Sequence, residues 1–168
     1  MTVKATKTLV CAFILSKIDY CNSLLSGCPL YILRRLQKDQ NSAAKLVFKS
    51  PRRHHVQLLL QTLHWLPVQD RIAYKLSIIC HNFFSDSSPA SLSDLLTVYT
   101  PFRQPRSSAD TQTLRIPHVK TKTFGQHSFS YSAPKQWNSL SSDIRHIQSS
   151  HAFKTALKTH LYKQYYNK

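Results

Sequence analysis

The side chains that could support acid–base or metal chemistry in this sequence are nine histidines, four cysteines and seven aspartates. No C-x-x-C pair occurs, and the irregular spacing of the cysteines does not fit a zinc site. Two-metal phosphoryl transfer needs carboxylates that converge, but the aspartates stand singly and the chain has no glutamate. We therefore expect no catalytic residue and no bound metal in this chain.

Neighbouring pairs and glycine content also argue against an enzyme. Cys80 and His81 are adjacent on a predicted helix, where successive side chains project about 100° apart, so they do not form a catalytic pair. The two glycines, Gly27 and Gly125, are too few for a phosphate-binding loop of the Walker or dinucleotide type. We predict that the chain is not an enzyme on its own and binds no cofactor.

Positive charge is the property that the composition favours most strongly. The chain carries 23 Lys and Arg against 7 acidic residues, a formal net charge of +16, and both halves of the chain are basic. Such a charge favours the phosphates of RNA or DNA as partner, through contacts that release counterions and weaken with salt. The alternative is a solvated basic surface or a polybasic contact with a membrane.

The candidate phosphate contacts come mainly from one predicted helix and from the segment "KSPRRHH" that follows it. The predicted nucleic-acid contacts are Arg34, Arg35, Lys38, Lys45, Lys49, Arg52, Arg53, His54, Lys120 and Lys122. His54 and His55 adjoin two arginines, whose charge disfavours a metal cation and suits a phosphate. A solvated cluster explains these two histidines equally well.

Tyrosines near the end of the chain are candidates for stacking on bases. Tyr162, Tyr165 and Tyr166 lie beside Lys163 and Lys168, and aromatic rings combined with cations are typical of surfaces that bind single-stranded nucleic acid. Aromatic side chains at helical spacing more often belong to a core, so both interpretations stay open.

Apolar periodicity predicts the helices that would position these side chains. One apolar stripe begins at Val10 and ends near Gly27, and a second helix begins at Pro29 and ends before the "KSPRRHH" segment. A short helix follows over about 56–63, and Pro67 suits the first turn of another helix, which ends at "SDSSPAS". The expected fold class is mainly α, with about four amino-terminal helices and a terminal helix.

The part of the chain after Leu96 has a different character. Residues 97–113 are rich in Pro, Ser, Thr and Arg, which predicts a linker between a helical region at 1–96 and a small α+β segment at 114–168. Alternating residues predict short strands at 114–116 and 119–124, within an irregular or β segment around 112–132. A short helix should follow, and a terminal helix should begin at Ser149 or Ser150. The residues expected to hold these two helices in place are Trp137, Leu140, Ile144, Phe153, Leu157, Leu161 and Tyr165.

The first residues only partly fit a signal peptide. Two lysines precede an apolar run over 9–15, but Ser16, Lys17 and Asp19 follow where a cleavage site of small residues would stand. No apolar stretch approaches the roughly 20 residues that a membrane span needs. We expect an intracellular protein, nuclear or cytoplasmic, with reduced cysteines.

Five stretches carry more information together than the composition does. They are "FILSKIDYCNSLLSGCP" (13–29), "LRRLQKDQNSAAKLV" (33–47), "LHWLPVQDRIAYKL" (63–76), "FSYSAPKQWNSLSSDIR" (129–145) and "FKTALKTHLY" (153–162). In this order and at this spacing they resemble the carboxy-terminal portion of the polyprotein of LINE-type, non-long-terminal-repeat retrotransposons. The resemblance covers about 9–162. In "SLSSDIR", Ser141 stands where the family usually has a proline.

The resemblance implies that the chain corresponds to thumb-like helices and the segment after them, downstream of the palm of a reverse transcriptase, an RNA-directed DNA polymerase. That region would grip template and primer. The family's catalytic aspartate pair has no counterpart here, so the expected function is that of a truncated fragment with residual, non-specific nucleic-acid binding. The alternative is a helical module that binds a protein partner or self-associates through exposed apolar helix faces.

The stretch "LHWLPVQDR" is expected to be structural, because His64 has no nucleophile or carboxylate partner nearby in sequence. Trp65 should fill a helix junction, with Pro67 at the start of the next helix. Within the first turn of that helix, Gln69, Asp70 and Arg71 are predicted to be solvated. Trp137 is expected to have a similar structural role in the stretch "FSYSAPKQWNSLSSDIR" (129–145).

Overall fold

A computed structural model describes residues 2–51, 53–100, 112–121 and 124–166, and over these ranges the chain is mainly helical, which confirms the predicted fold class. The α-helices are α1 (Val3–Val10), α2 (Ser16–Asp19), α3 (Leu30–Phe48), α4 (Val56–Thr62), α5 (Val68–Phe84), α6 (Ala90–Ser93), α7 (Phe129–Asn138), α8 (Ser142–Arg145) and α9 (Ser150–Tyr166). A π-helical turn (Cys11–Leu15) joins α1 to α2, and a 3₁₀ helix (Asn22–Leu25) follows α2.

Prolines determine where two of the long helices begin. Pro29 and Pro67 stand immediately before α3 and α5, with φ of −53° and −57°. Their carbonyls accept the first helical hydrogen bonds, from the N–H of Ile32 at 3.0 Å and of Arg71 at 2.9 Å. Proline suits this position because its φ is already near the helical value and because it has no N–H to leave unpaired.

Three helices end in the same way, on a residue in the left-handed conformation. These residues are Lys49 after α3, His64 after α4 and Asp86 after α5, with φ of 51°, 55° and 51°. In each case the next residue donates its N–H to a carbonyl five positions earlier, at 3.0, 2.9 and 2.9 Å. This is the Schellman arrangement, in which glycine is the usual residue. The chain has two glycines, and side-chain-bearing residues adopt this conformation instead.

Buried apolar side chains form one core, to which helices on both sides of residues 97–113 contribute. Helix α5 is central to it and packs against α3, α7 and α9. The main contributors are Ala43, Ala44 and Val47 of α3, Ile72, Leu76 and Cys80 of α5, Trp137 of α7, and Phe153, Leu157 and Leu161 of α9. The apolar face predicted for the terminal helix is therefore correct in its first three members, whereas Tyr165 is 39% exposed.

The predicted strands at 114–116 and 119–124 are wrong for the part of this segment that the structure describes. The pairing seen there is an isolated antiparallel bridge between Val98 and Leu114. On its other side, Leu114 donates its N–H to Oδ1 of Asn138 at 3.0 Å and accepts from Nδ2 of Asn138 at 2.8 Å. A side-chain amide thus takes the place that a neighbouring strand would occupy. Most of the predicted linker, 101–111, lies outside the described residues, as do 122–123.

The short helix expected around Trp137, Leu140 and Ile144 is two helices, α7 and α8, separated by residues 139–141. The irregular segment is also shorter than predicted, because α7 already begins at Phe129. Helix α9 begins where expected: Ser149 accepts the N–H of Phe153 on its carbonyl at 2.8 Å and that of Ala152 on its hydroxyl at 3.4 Å. Over the described ranges, no helix is long and apolar enough to cross a membrane.

Candidate nucleic-acid interface

Helix α3 carries basic side chains on the side opposite its buried side. Arg34, Arg35 and Lys38 are exposed, whereas Ala43 and Val47 lie in the core. With about 100° between successive residues, the three cations fall within roughly one third of the helix circumference, facing away from the core. Lys45 falls on the same side and is half-buried. The four cations against Asp39, the one carboxylate of α3, leave this helix with a charge of 4 − 1 = +3.

Further exposed basic residues follow at the exit of α3. Lys49 is exposed in the left-handed position that ends the helix, and Arg53 and His54 are exposed a few residues further on. Nδ1 of His54 lies 3.1 Å from the carbonyl oxygen of His55, a contact that is a hydrogen bond when Nδ1 carries the proton. We call the exposed residues Arg34, Arg35, Lys38, Lys49, Arg53 and His54 the α3 basic face.

The remaining predicted contacts do not all belong to this surface. Lys120 is exposed, but on the irregular segment before α7 rather than on α3 or its exit. Arg52 and Lys122 lie outside the residues that the structure describes. The candidate interface is therefore one helix and its exit, with Lys120 on a separate element.

Two of the three candidate stacking tyrosines are occupied by structural hydrogen bonds. The hydroxyl of Tyr162 donates to the carbonyl of Gln61 at 3.1 Å, and that of Tyr166 donates to the carbonyl of Trp65 at 2.9 Å. Burial raises the pKa of Tyr166, and the nearby Tyr165, Tyr162 and Asp70 act in the same direction. Of the three rings, that of Tyr165 is the most accessible to a base.

Two glutamines of α3 that sequence reasoning missed hold the α4–α5 junction beneath the α3 basic face. Nε2 of Gln40, which is fully buried, donates to the carbonyl of Leu66 at 2.8 Å. Oε1 of Gln37 accepts the N–H of Val68 at 2.9 Å, and so caps the start of α5. The signal was available, because these two polar residues interrupt the apolar side of a predicted helix. Buried polar groups need partners, and Nε2 of Gln40 and Oε1 of Gln37 find theirs in backbone groups of the junction, whereas Oε1 of Gln40 has no partner among the described residues.

The junction itself is buried, with Trp65 5% exposed and Pro67 also inside. The prediction of a solvated first turn is wrong for Arg71, whose side chain is 15% exposed. Its Nε donates to the carbonyl of Leu66 at 2.9 Å, and its Nη1 lies 2.7 Å from Oδ2 of Asp19. A carboxylate and a carbonyl together replace the water that a guanidinium would otherwise need.

The "QWNSLSSDIR" stretch docks the chain where it returns after residue 111. Nε1 of Trp137, a fully buried side chain, donates to the carbonyl of Gln112 at 2.7 Å, and Nη1 of Arg145 approaches the same oxygen at 3.3 Å. Nε of Arg145 donates to the carbonyl of Leu140 at 3.2 Å. These residues therefore tie the return segment to α7 and α8.

The adjacent Cys80 and His81 have packing roles. The Cys80 thiol is 3.6 Å from the carbonyl of Ala133, and burial raises its pKa to about 12, which keeps it protonated. Nε2 of His81 lies 2.8 Å from the carbonyl of Ile147, and its ring stacks on Phe153 at 4.2 Å. Within the described ranges, no three His, Cys or Asp side chains converge as a metal site would require.

Comparison of the chain with protein-family models, with curated proteins and with solved structures finds no match in any of the three.

Proposed function

We propose that this chain binds the phosphate backbone of RNA or DNA through the α3 basic face. The supporting observation is that Arg34, Arg35 and Lys38 are exposed on the side of α3 that faces away from its buried residues. Because α3 is packed on the core by its opposite side, the backbone positions of these three residues are fixed. The helix therefore needs no folding step before its cations meet phosphates, and only the long side chains lose freedom on binding.

We further propose that the chain acts as one region of a larger polymerase. The five stretches that resemble the LINE-type polyprotein support assigning this chain to the region that follows the palm of a reverse transcriptase. In that setting the α3 basic face would grip template and primer.

The binding is electrostatic and has little sequence preference, because phosphate contacts carry no base information. For about four phosphate contacts on duplex, the association constant should fall roughly 100-fold between 50 and 200 mM salt. RNA, duplex DNA and an RNA–DNA hybrid should all bind, with affinities ordered by the fit of their backbones to one helix rather than by base sequence.

Filter binding of the full chain to RNA, duplex DNA and a hybrid tests the proposal. The variant Arg34→Ala/Arg35→Ala/Lys38→Ala removes three charges from the α3 basic face. Its matched control, Lys4→Ala/Lys154→Ala/Lys163→Ala, removes three exposed lysines on α1 and α9. We expect the first variant to lose at least about 30-fold in affinity and the control to lose about 3-fold. Equal losses would show that only net charge matters and would contradict the assignment to α3.

A second candidate function is self-association through the amino-terminal helices. Phe13, Tyr20 and Leu24 are 71%, 79% and 75% exposed, which is unusual for three large apolar or aromatic side chains so close in sequence. Surfaces of this kind are typical of protein interfaces. Light scattering decides between the two: a concentration-dependent dimer that Phe13→Asp abolishes supports this candidate, whereas a monodisperse monomer at all concentrations argues against it.

A further inference from the structure

A cleft beside the α4–α5 junction is separate from the α3 basic face. It is lined by residues of α5 and α9, by the 3₁₀ helix and by the junction, and has a volume of about 340 Å³. Cavities that hold small ligands are commonly about 300–1,000 Å³, so one small molecule fits. We call it the lysine cleft and define it by Asn22, His64, Arg71, Tyr74, Lys75 and Lys158.

The charge around the lysine cleft favours an anion. Lys75 projects from α5 and Lys158 from α9, and both are exposed. The Asp19 carboxylate that also lines the cleft is paired with Arg71 at 2.7 Å, so this pair adds no net charge. The Leu66 carbonyl, which would repel an anion, accepts hydrogen bonds from Gln40 and Arg71. The two lysines leave the cleft with a formal charge of +2.

A buried amide side chain that lines the lysine cleft favours a ligand that can form hydrogen bonds. Asn22 is 3% exposed, and its Oδ1 has no hydrogen-bond partner among the described residues. Burying an unpaired amide oxygen is unfavourable, and a ligand that donates to it would remove that cost. The group that would pair with this oxygen is a donor, such as the exocyclic amino group at the edge of a cytosine or an adenine.

Part of the lining of the lysine cleft is aromatic or apolar. Tyr74 and Ile78 of α5 line the cleft and are half-buried, so part of each side chain is accessible from it. An aromatic ring favours contact with the face of a base. Inorganic phosphate would use the lysines and leave both Tyr74 and Asn22 without a role.

We propose that the lysine cleft binds a single nucleotide, with its phosphate held by Lys75 and Lys158, its base against Tyr74 and its base edge at Asn22. The nucleotide has two possible sources, a free nucleoside monophosphate or the 5′-phosphorylated end of a strand. None of the residues involved belongs to the α3 basic face, and the inference stands without it.

Titration of the full chain with CMP and AMP, followed by calorimetry and by NMR chemical shifts, tests the inference. We expect saturable binding of at least one of them, weakened about 10-fold or more by Lys75→Ala/Lys158→Ala. The matched control Lys154→Ala/Lys163→Ala removes the same charge from exposed positions of α9 that do not line the cleft, and should change the affinity less than about 2-fold. Absence of saturable binding, or equal losses in the two variants, would overturn the inference.

Further experiments test whether the base is recognised and which of the two sources supplies the nucleotide. Asn22→Leu removes the unpaired amide and should weaken CMP or AMP while leaving the weaker binding of inorganic phosphate unchanged. If inorganic phosphate binds the wild type as tightly as either nucleotide, the base site is wrong. Tighter binding of a 5′-phosphorylated than of a 5′-hydroxyl oligonucleotide identifies a strand end as the source, and tighter binding of the free nucleotide identifies the monophosphate.

The failure of this inference can be told apart from that of the proposed function. Arg34→Ala/Arg35→Ala/Lys38→Ala lies outside the lysine cleft and should leave nucleotide binding unchanged. A chain that binds CMP but no polynucleotide overturns the proposed function alone. A chain that binds polynucleotides through α3 but no mononucleotide overturns the lysine cleft alone.

Discussion

The hydroxyl of Tyr166 donates a hydrogen bond to the carbonyl oxygen of Trp65 at 2.9 Å, joining two residues that lie 101 positions apart in the chain. One turn earlier on α9, Tyr162 makes the same kind of bond to Gln61 at 3.1 Å. The end of the last helix therefore closes the α4–α5 junction, whose other side is held by Gln37 and Gln40 of α3. The position of the α3 basic face therefore depends on the hydrogen bonds that α9 and α3 make to this junction.

The Tyr166 hydroxyl should contribute measurably to stability. Tyr166→Phe removes the donor and leaves the Trp65 carbonyl without this partner, which should lower the free energy of unfolding by about 1–2 kcal/mol. Tyr165→Phe is the matched control, because Tyr165 is more exposed, and its change should stay below about 0.5 kcal/mol. Urea unfolding of the three proteins measures both. Equal values for the two variants would show that the hydrogen bond contributes nothing.

Trp65 should be among the most sensitive positions of the chain. Its ring is 5% exposed, and Trp65→Ala leaves a cavity that should lower the free energy of unfolding by about 3–5 kcal/mol. Leu58→Ala on the neighbouring helix α4, where the side chain is 61% exposed, should cost less than about 1 kcal/mol. A loss below 1 kcal/mol for Trp65→Ala would mean that the junction is not buried in solution.

The left-handed residue after α4 offers a stabilising substitution. His64 has φ of 55°, a conformation that costs a residue with a Cβ roughly 1 kcal/mol relative to glycine. His64→Gly should raise the free energy of unfolding by up to about 1 kcal/mol, reduced by the greater freedom of glycine in the unfolded chain. Thermal unfolding shows whether the substitution raises or lowers the stability of the protein. A clear decrease would show that the His64 ring, 5.8 Å from that of Tyr162, contributes more than the strain costs.

Stability should fall at high pH because of Cys80. Burial raises its pKa from 9.0 to about 12, so the folded state keeps the thiol protonated where the unfolded state loses the proton. The contribution is fully present below pH 9 and is lost as the pH rises from 9 toward 12. Cys80→Ala should therefore lose less stability between pH 8 and pH 10.5 than the wild type does. Urea unfolding at the two pH values measures this loss for each protein. An equal loss of unfolding free energy in the wild type and in Cys80→Ala would contradict this assignment.

The long helices could be predicted from the sequence because their signals are local. The apolar residues of α3 and α5 recur with the helical period, and Pro29 and Pro67 mark where these helices begin. The three Schellman ends could not be predicted in the same way, since their usual marker is glycine and the positions are held by Lys49, His64 and Asp86.

The interactions that close the fold are long-range and have no local signal. Alternation around Leu114 suggests a strand, yet part of its pairing comes from the side chain of Asn138, which no period reveals. The position of Arg71 beside Asp19 likewise depends on how α2 packs near α5, whereas a charged residue in a helical first turn by itself predicts exposure to solvent. The exposure of the α3 cations can be predicted from the sequence, because it follows from the helical period and from which side of the helix is apolar.

The most direct test of nucleic-acid binding by α3 is the slope of log association constant against log salt for duplex DNA. Each phosphate contact contributes about −0.9 to this slope, so Arg34→Ala/Arg35→Ala/Lys38→Ala should make it shallower by about 2–3 units. The control Lys4→Ala/Lys154→Ala/Lys163→Ala should leave the slope within about 0.5 of the wild-type value. A wild-type affinity that barely changes with salt, or a slope that the α3 substitutions leave unchanged, would contradict binding through this face.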